Sequence, residues 1–105
     1  MSESISISNL KEALASQAAP VVFDVRKKPA FDSDPRTIQG AEWRAFDDVK
    51  AWASEIANDD KVVVYCVHGH EVSQSAARGL RELGFDATYL DGGIATWIEE
   101  GNSVS

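Results

Sequence analysis

The 105-residue sequence contains one cysteine, so no disulfide can form within the chain and a secreted disulfide scaffold is excluded. No stretch approaches the roughly eighteen consecutive apolar residues that a membrane-spanning helix needs. The first thirty residues lack a basic start followed by an apolar run, so no secretory leader is expected. Cations are scarce: ten Lys and Arg stand against seventeen Asp and Glu, for a net charge of −7. Such a chain is poorly suited to nucleic acid or anionic lipid. Any anionic substrate would need local attraction, from backbone amides or a few placed cations. What is present is ordinary for a globular protein, with 44% apolar and 26% charged residues. Surface scaling gives ~5,800 Å² folded against ~16,500 Å² unfolded, so about 65% is buried, enough for one core without staples. Residues 1–105 are expected to form a single domain, with a cytoplasmic location as the default.

Along the chain, short elements alternate. Ile5 and Ile7 between serines suggest a weak edge strand, and Ser8 then caps a helix with Leu10, Ala13 and Leu14 on one face. Pro20 closes it, and Val21-Val22-Phe23-Asp24-Val25 reads as a strand covered on both sides. Residues 26–40, broken by Pro29 and Pro35, read as a loop with room for one helical turn, and Gly40–Arg44 as a short return strand. Phe46, Val49, Trp52, Ala53 and Ile56 recur at helical spacing, with Asp47 and Asp48 at the positive end. Asn58-Asp59-Asp60 is a turn, and Lys61-Val62-Val63-Val64-Tyr65 is the clearest strand. Val72, Ala76, Ala77, Leu80 and Leu83 then define a helix that opens near Ser73 and stops at Gly84. Phe85–Leu90 is a last strand, Asp91-Gly92-Gly93 a turn, and Ile94, Trp97 and Ile98 mark a final helix before a frayed tail, 102–105. Strands alternating with helices, without hairpin signals, predict an α/β fold of three layers, a mainly parallel sheet with helices on both faces.

Open parallel sheets hold ligands beyond the carboxyl ends of their strands. Cys66 stands at that point on the central strand, and Val67-His68-Gly69-His70-Glu71-Val72 leads from it into a helix. A tight strand-loop-helix turn can aim successive N–H groups inward as an anion cradle, with Gly69 supplying a positive φ. Such a cradle favours the thiolate, the reactive form of cysteine. A free cysteine is otherwise a small core residue; its place before this loop is what favours a nucleophile.

Three segments resemble the rhodanese domain, a family of persulfide-forming sulfurtransferases. They are Val22-Phe23-Asp24-Val25-Arg26; Val62–Cys66 with its loop and Ala76-Ala77; and Gly84-Phe85 followed by Leu90-Asp91-Gly92-Gly93-Ile94-Ala95-Thr96-Trp97. Gly40-Ala41 also falls where the family has a Gly-Ala pair. The resemblance implies that the Cys66 thiolate takes the outer sulfur of a donor such as thiosulfate and passes it to cyanide or a thiol acceptor. It implies that the amides of Val67, His68, Gly69, His70, Glu71, Val72 and Ser73 stabilise the charge, that Asp24 and Arg26 support the site, and that neither metal nor organic cofactor is needed. Expected partners are small anionic sulfur donors, thiol or cyanide acceptors, and protein sulfur donors or acceptors.

Several features depart from the common pattern. The loop, Cys66 to Val72, has seven residues where six is usual, which resembles related dual-specificity phosphatases. Those place an arginine at the loop's end to clamp phosphate, where this sequence has Val72. An oxyanion reductase would want a second cysteine. A non-catalytic interaction module or a sulfur carrier would also fit the same fold. Glu71 is expected to face away from the cradle, since a carboxylate would repel an anion there. Cys66, His68 and His70 form a Cys-x-His-x-His string that invites a metal, but alternate residues in a tight curl rarely converge. The histidines are instead candidate cations, or plain exposed loop residues. Asp24 and Arg26 are expected to form a structural ion pair, Ser73 to cap its helix or else donate to the persulfide, and Trp43, Trp52 and Trp97 to serve the core or its edge.

Overall fold

Strands and helices alternate along the chain as the turn spacing predicts. The computed structural model describes residues 3–57 and 59–105. In chain order it holds β1 (Ser4–Ile5), α1 (Ile7–Leu14), β2 (Val21–Asp24), α2 (Lys28–Ser33), β3 (Glu42–Trp43) and α3 (Val49–Trp52) with a 3₁₀ turn (Ala53–Glu55). There follow β4 (Lys61–Tyr65), α4 (Glu71–Glu82), β5 (Asp86–Leu90) and α5 (Gly93–Glu99). The strands form one sheet ordered β1-β5-β4-β2-β3, and every neighbouring pair is parallel. The most apolar strand, β4, lies at its centre.

Period-two alternation assigns the residues of β4 to two cores. Val62 and Val64 face Trp52, Ala76, Ala77 and Leu80, from α3 and α4. Val63 and Tyr65 face Leu10 of α1 and Ile94 and Trp97 of α5. Burying each valine contributes ~1.5–3 kcal/mol, so this strand needs helices on both sides. The three-layer α/β architecture follows.

Several boundaries differ from expectation, each for a local reason. The cap of α1 is Ser6, whose Oγ accepts from the Asn9 amide at 3.1 Å, rather than Ser8. Starting there places Ile7 in the helix, buried with Leu10 three residues on. The helix expected from Phe46 to Ile56 is only α3 and the 3₁₀ turn. Its tighter winding stacks residues three apart, which buries Ala53 and Ile56 together. Leu83 is 41% exposed, because Gly84 (φ +95°) turns the chain there and Phe85 packs on the core instead. The turn at 58–60 includes Asn58, which lies outside the described residues; Asp60 N–H donates to Ala57 O at 3.0 Å.

The tail 102–105 does not fray. Val104 forms an antiparallel bridge with Ile38, and Thr37 and Ser105 exchange two backbone hydrogen bonds of 3.0 Å. Trp97 Nε1 donates to Ser103 O at 3.0 Å. The loop before β3 gives the tail an edge to pair with, which sequence pattern alone cannot reveal.

Candidate active site

Cys66 immediately follows β4, between the ends of β5 and β2, and is 6% exposed. The loop after it is held through its carbonyls. The Cys66 carbonyl accepts from Ile94 N–H at 3.0 Å and the Val67 carbonyl from Ala95 N–H at 2.9 Å, both at the start of α5. The Gly69 carbonyl accepts from Gln74 Nε2 at 3.1 Å, and the His70 carbonyl from Gln74 N–H at 3.1 Å. By contrast, the amides of Val67 through Ser73 have no acceptor among the described residues. A backbone that engages its carbonyls elsewhere and leaves a run of N–H groups free is electropositive on that side.

Two glycines permit this arrangement. Gly69 adopts φ +75°, and a Cβ there would stand 2.8 Å from Leu90 O and Gly92 N. Gly93 adopts φ +66°, and a Cβ there would stand 2.5 Å from Cys66 O. The Asp91-Gly92-Gly93 turn therefore presses backbone to backbone beneath the loop, a contact that only residues without side chains allow.

Ser73 is fully buried, and its Oγ lies 3.1 Å from Cys66 Sγ and 3.4 Å from His70 O. The thiol donates to the hydroxyl, which donates onward to the carbonyl; an ionised sulfur would instead accept from that hydroxyl. Of the two roles expected of Ser73, the hydroxyl therefore stands at the sulfur and not at the helix cap. α4 opens at Glu71, two residues before the expected start, so Ser73 is its third residue and points inward. His70 occupies the cap position and makes no side-chain cap bond.

The other loop residues spread outward. His68, His70 and Glu71 are exposed, Val67 is half-buried, and Val72 packs against the α3–α4 core. The two imidazole rings are 6.2 Å apart. Among the described residues no three His, Cys, Asp or Glu side chains gather as a metal site, so the structure does not bring Cys66, His68 and His70 together as ligands. Glu71 sits in the first turn of α4, where a carboxylate suits the helix dipole.

Asp24 and Arg26 form a buried ion pair. The Arg26 Nη2 meets Asp24 Oδ2 at 2.6 Å, and the Arg26 amide meets Oδ1 at 3.0 Å. The guanidinium also donates to the carbonyls of Asp34 (2.9 Å) and Arg36 (3.0 Å). It is thus a brace for the loop before β3. Pattern reading missed the neighbouring Tyr65, whose hydroxyl accepts from the Ile38 amide at 3.1 Å. Burial, and then the Asp24 charge, push its phenol well above the usual range. A tyrosine inside an apolar strand is the signal that could have found it, since a buried hydroxyl needs a partner.

The other arginines near this end are paired as well. Arg36 holds the Asp34 carboxyl down to about 2, chiefly by a side-chain hydrogen bond. Arg44 meets Glu55 and Glu42, at 2.5 and 2.8 Å.

The family model of the rhodanese-like domain matches residues 6–100. The chain belongs to the rhodanese-like domain family. It is 32% identical over 96 residues to the thiosulfate sulfurtransferase GlpE of Shewanella oneidensis, covering 90% of this chain and 91% of that protein. The GlpE of Coxiella burnetii is 33% identical over 78 residues, with 73% and 70% covered. Among solved structures, a rhodanese-related protein from Thermoplasma volcanium superposes with a TM-score of 0.82 at 30% identity, covering 99% of this chain and 98% of its own. The rhodanese-like resemblance of the three sequence segments and the α/β architecture therefore agree.

Proposed function

We propose that this rhodanese-like protein is a sulfurtransferase that carries sulfane sulfur on Cys66 as a persulfide. The Cys66 thiolate attacks the outer sulfur of a donor such as thiosulfate. A bond forms between the two sulfurs, the donor's S–S bond breaks, and sulfite leaves with the electron pair. An acceptor thiolate or cyanide then attacks the terminal sulfur, and its departure from Cys66 restores the thiolate. Splitting the transfer in two lets one small loop serve both halves.

The observation that carries this reading is the loop whose carbonyls at Cys66, Val67, Gly69 and His70 are held by other groups, while the amides of Val67 through Ser73, directly after the sequence's one cysteine, have no acceptor among the described residues. Seven neutral donors suit the single charge of a thiolate or persulfide, and Ser73 adds an eighth at 3.1 Å. The two GlpE relatives, named as thiosulfate sulfurtransferases, support the same chemistry. A phosphatase or an oxyanion reductase has less support. No arginine lies between Cys66 and Ser73, Val72 is turned into the core, and no second cysteine exists.

No helix among the described residues is long and apolar enough to cross a membrane. We place the reaction in the cytoplasm, where a lone thiol stays reduced. It needs no metal or organic cofactor, and the whole chain serves it as one domain.

Intact-mass measurement after incubation with thiosulfate tests the proposal. The protein should gain one sulfur atom, and Cys66→Ser should gain none. No gain with thiosulfate, polysulfide or any alkyl persulfide would refute it.

A further inference from the structure

Charge is unevenly placed in this acidic molecule. Residues 24–44 carry five cations and four carboxylates, whereas the remainder carries five cations and thirteen carboxylates. Within that segment the guanidiniums of Arg26, Arg36 and Arg44 are all bound to carboxylates, which leaves the lysines. Lys27 is exposed. Lys28 is 60% exposed, and its pairing with Asp32 at 3.2 Å is of the weak surface kind. Its ammonium lies 5.3 Å from the Phe31 ring centre and 5.1 Å from that of Trp43, two half-buried aromatics themselves 5.9 Å apart.

This cationic and aromatic corner stands at the same carboxyl end of the sheet as the active-site loop. Trp43 pairs in register with Asp24, and Asp24 with Tyr65, so the three residues form a row across the sheet that ends beside Cys66. Two strand spacings separate Trp43 from that end, about 10 Å. A small donor over Cys66 cannot reach both places, whereas three extended residues span that distance.

We infer that the corner formed by Lys27, Lys28, Phe31 and Trp43 docks an acidic segment of a protein sulfur donor or acceptor. The segment bears its cysteine three or four residues from one or more carboxylates. The inference rests on the proposal that Cys66 carries sulfur. An anionic membrane fits less well, because an extended anionic surface also meets the acidic remainder of the molecule, whereas a short segment meets only this corner.

Three peptides with one cysteine test this, flanked at three and four residues by Glu, by Ser or by Lys. Fluorescence anisotropy with the Cys66→Ser protein measures binding without any sulfur chemistry. Persulfide-loaded protein measures transfer. The Glu peptide should bind and react about tenfold better than the Lys peptide at low salt, with the gap closing as salt rises. The exposed double variant K27E/K28E should reverse the preference and leave transfer to 2-mercaptoethanol unchanged. K50E/K61E, which changes net charge equally at other sites, should keep it. Equal handling of the three peptides, the same loss in K50E/K61E, or retention on phosphatidylserine vesicles without peptide discrimination would overturn the inference. Failure to load sulfur would refute the persulfide instead, and anisotropy would still decide docking.

Discussion

The Sγ of Cys66 and the Oγ of Ser73 lie 3.1 Å apart, with Ser73 fully buried on the third residue of α4. A hydroxyl in that place accepts from a thiol and donates to a thiolate. Because it cannot reach water, its remaining partner is the His70 carbonyl, so ionisation of the sulfur redirects a hydrogen bond that already exists.

Removing that hydroxyl should slow the chemistry of the sulfur. A hydrogen bond to a charged group contributes ~1.5–3 kcal/mol, so Ser73→Ala should lower the rate of Cys66 alkylation by iodoacetamide at pH 7 about tenfold. Ser73→Thr, which keeps the hydroxyl, should restore most of it. Equal rates for the alanine variant and the unaltered protein would remove Ser73 from the mechanism.

Glycine positions should differ in sensitivity. Gly93→Ala meets the carbonyls of Cys66 and Val67 at positive φ and should cost at least about 2 kcal/mol in urea denaturation. Gly84→Ala also has positive φ, but a Cβ there meets nothing within 4 Å, so about 1 kcal/mol is expected. Equal losses would show that backbone strain alone, and not contact with the loop, sets the requirement.

The Asp24–Arg26 pair is buried, so removing one partner strands the other's charge. Arg26→Met should cost about 3–5 kcal/mol, and combining it with Asp24→Asn should recover part of the loss. A double-mutant cycle by urea denaturation measures the coupling. Additive losses would mean that the carbonyl contacts to Asp34 and Arg36, and not the ion pair, dominate.

Alkaline stability should be governed in part by Tyr65. Its folded pKa is raised above the ordinary 10.0, first by burial and then by the Asp24 charge. Below pH 10 both folded and unfolded chains keep the proton, and the full stability is present. Above it the unfolded chain releases the proton while the folded one retains it, so stability falls as pH rises. Tyr65→Phe should flatten that decline between pH 10 and 12, after a constant loss of about 1 kcal/mol for the Ile38 amide left without its acceptor. An unchanged slope in stability measured across this range would assign the decline to other groups.

Much of the fold was legible because β4 carries apolar residues at every position from Val62 to Tyr65, which only a strand covered on both faces accommodates. Cys66, its loop and the buried Asp24–Arg26 pair were likewise legible from their places at the ends of the strands. Where α4 begins was not. Ser73 has the composition of a cap, yet its hydroxyl is used three-dimensionally, by the sulfur seven residues earlier. Leu83 fits the apolar helical spacing, yet Gly84 turns the chain before it can be buried.

Sequence by itself thus determined the parallel three-layer architecture and the position of the one cysteine, since periodicity and strand ends are local properties of the chain. Only the tertiary structure decided that the tail pairs with Thr37 and Ile38, that Tyr65 braces Ile38, and that Gly93 lies under the Cys66 carbonyl. Those contacts join residues 27 or more positions apart. Which distant backbones meet is set by how the layers pack, about which local spacing carries no information.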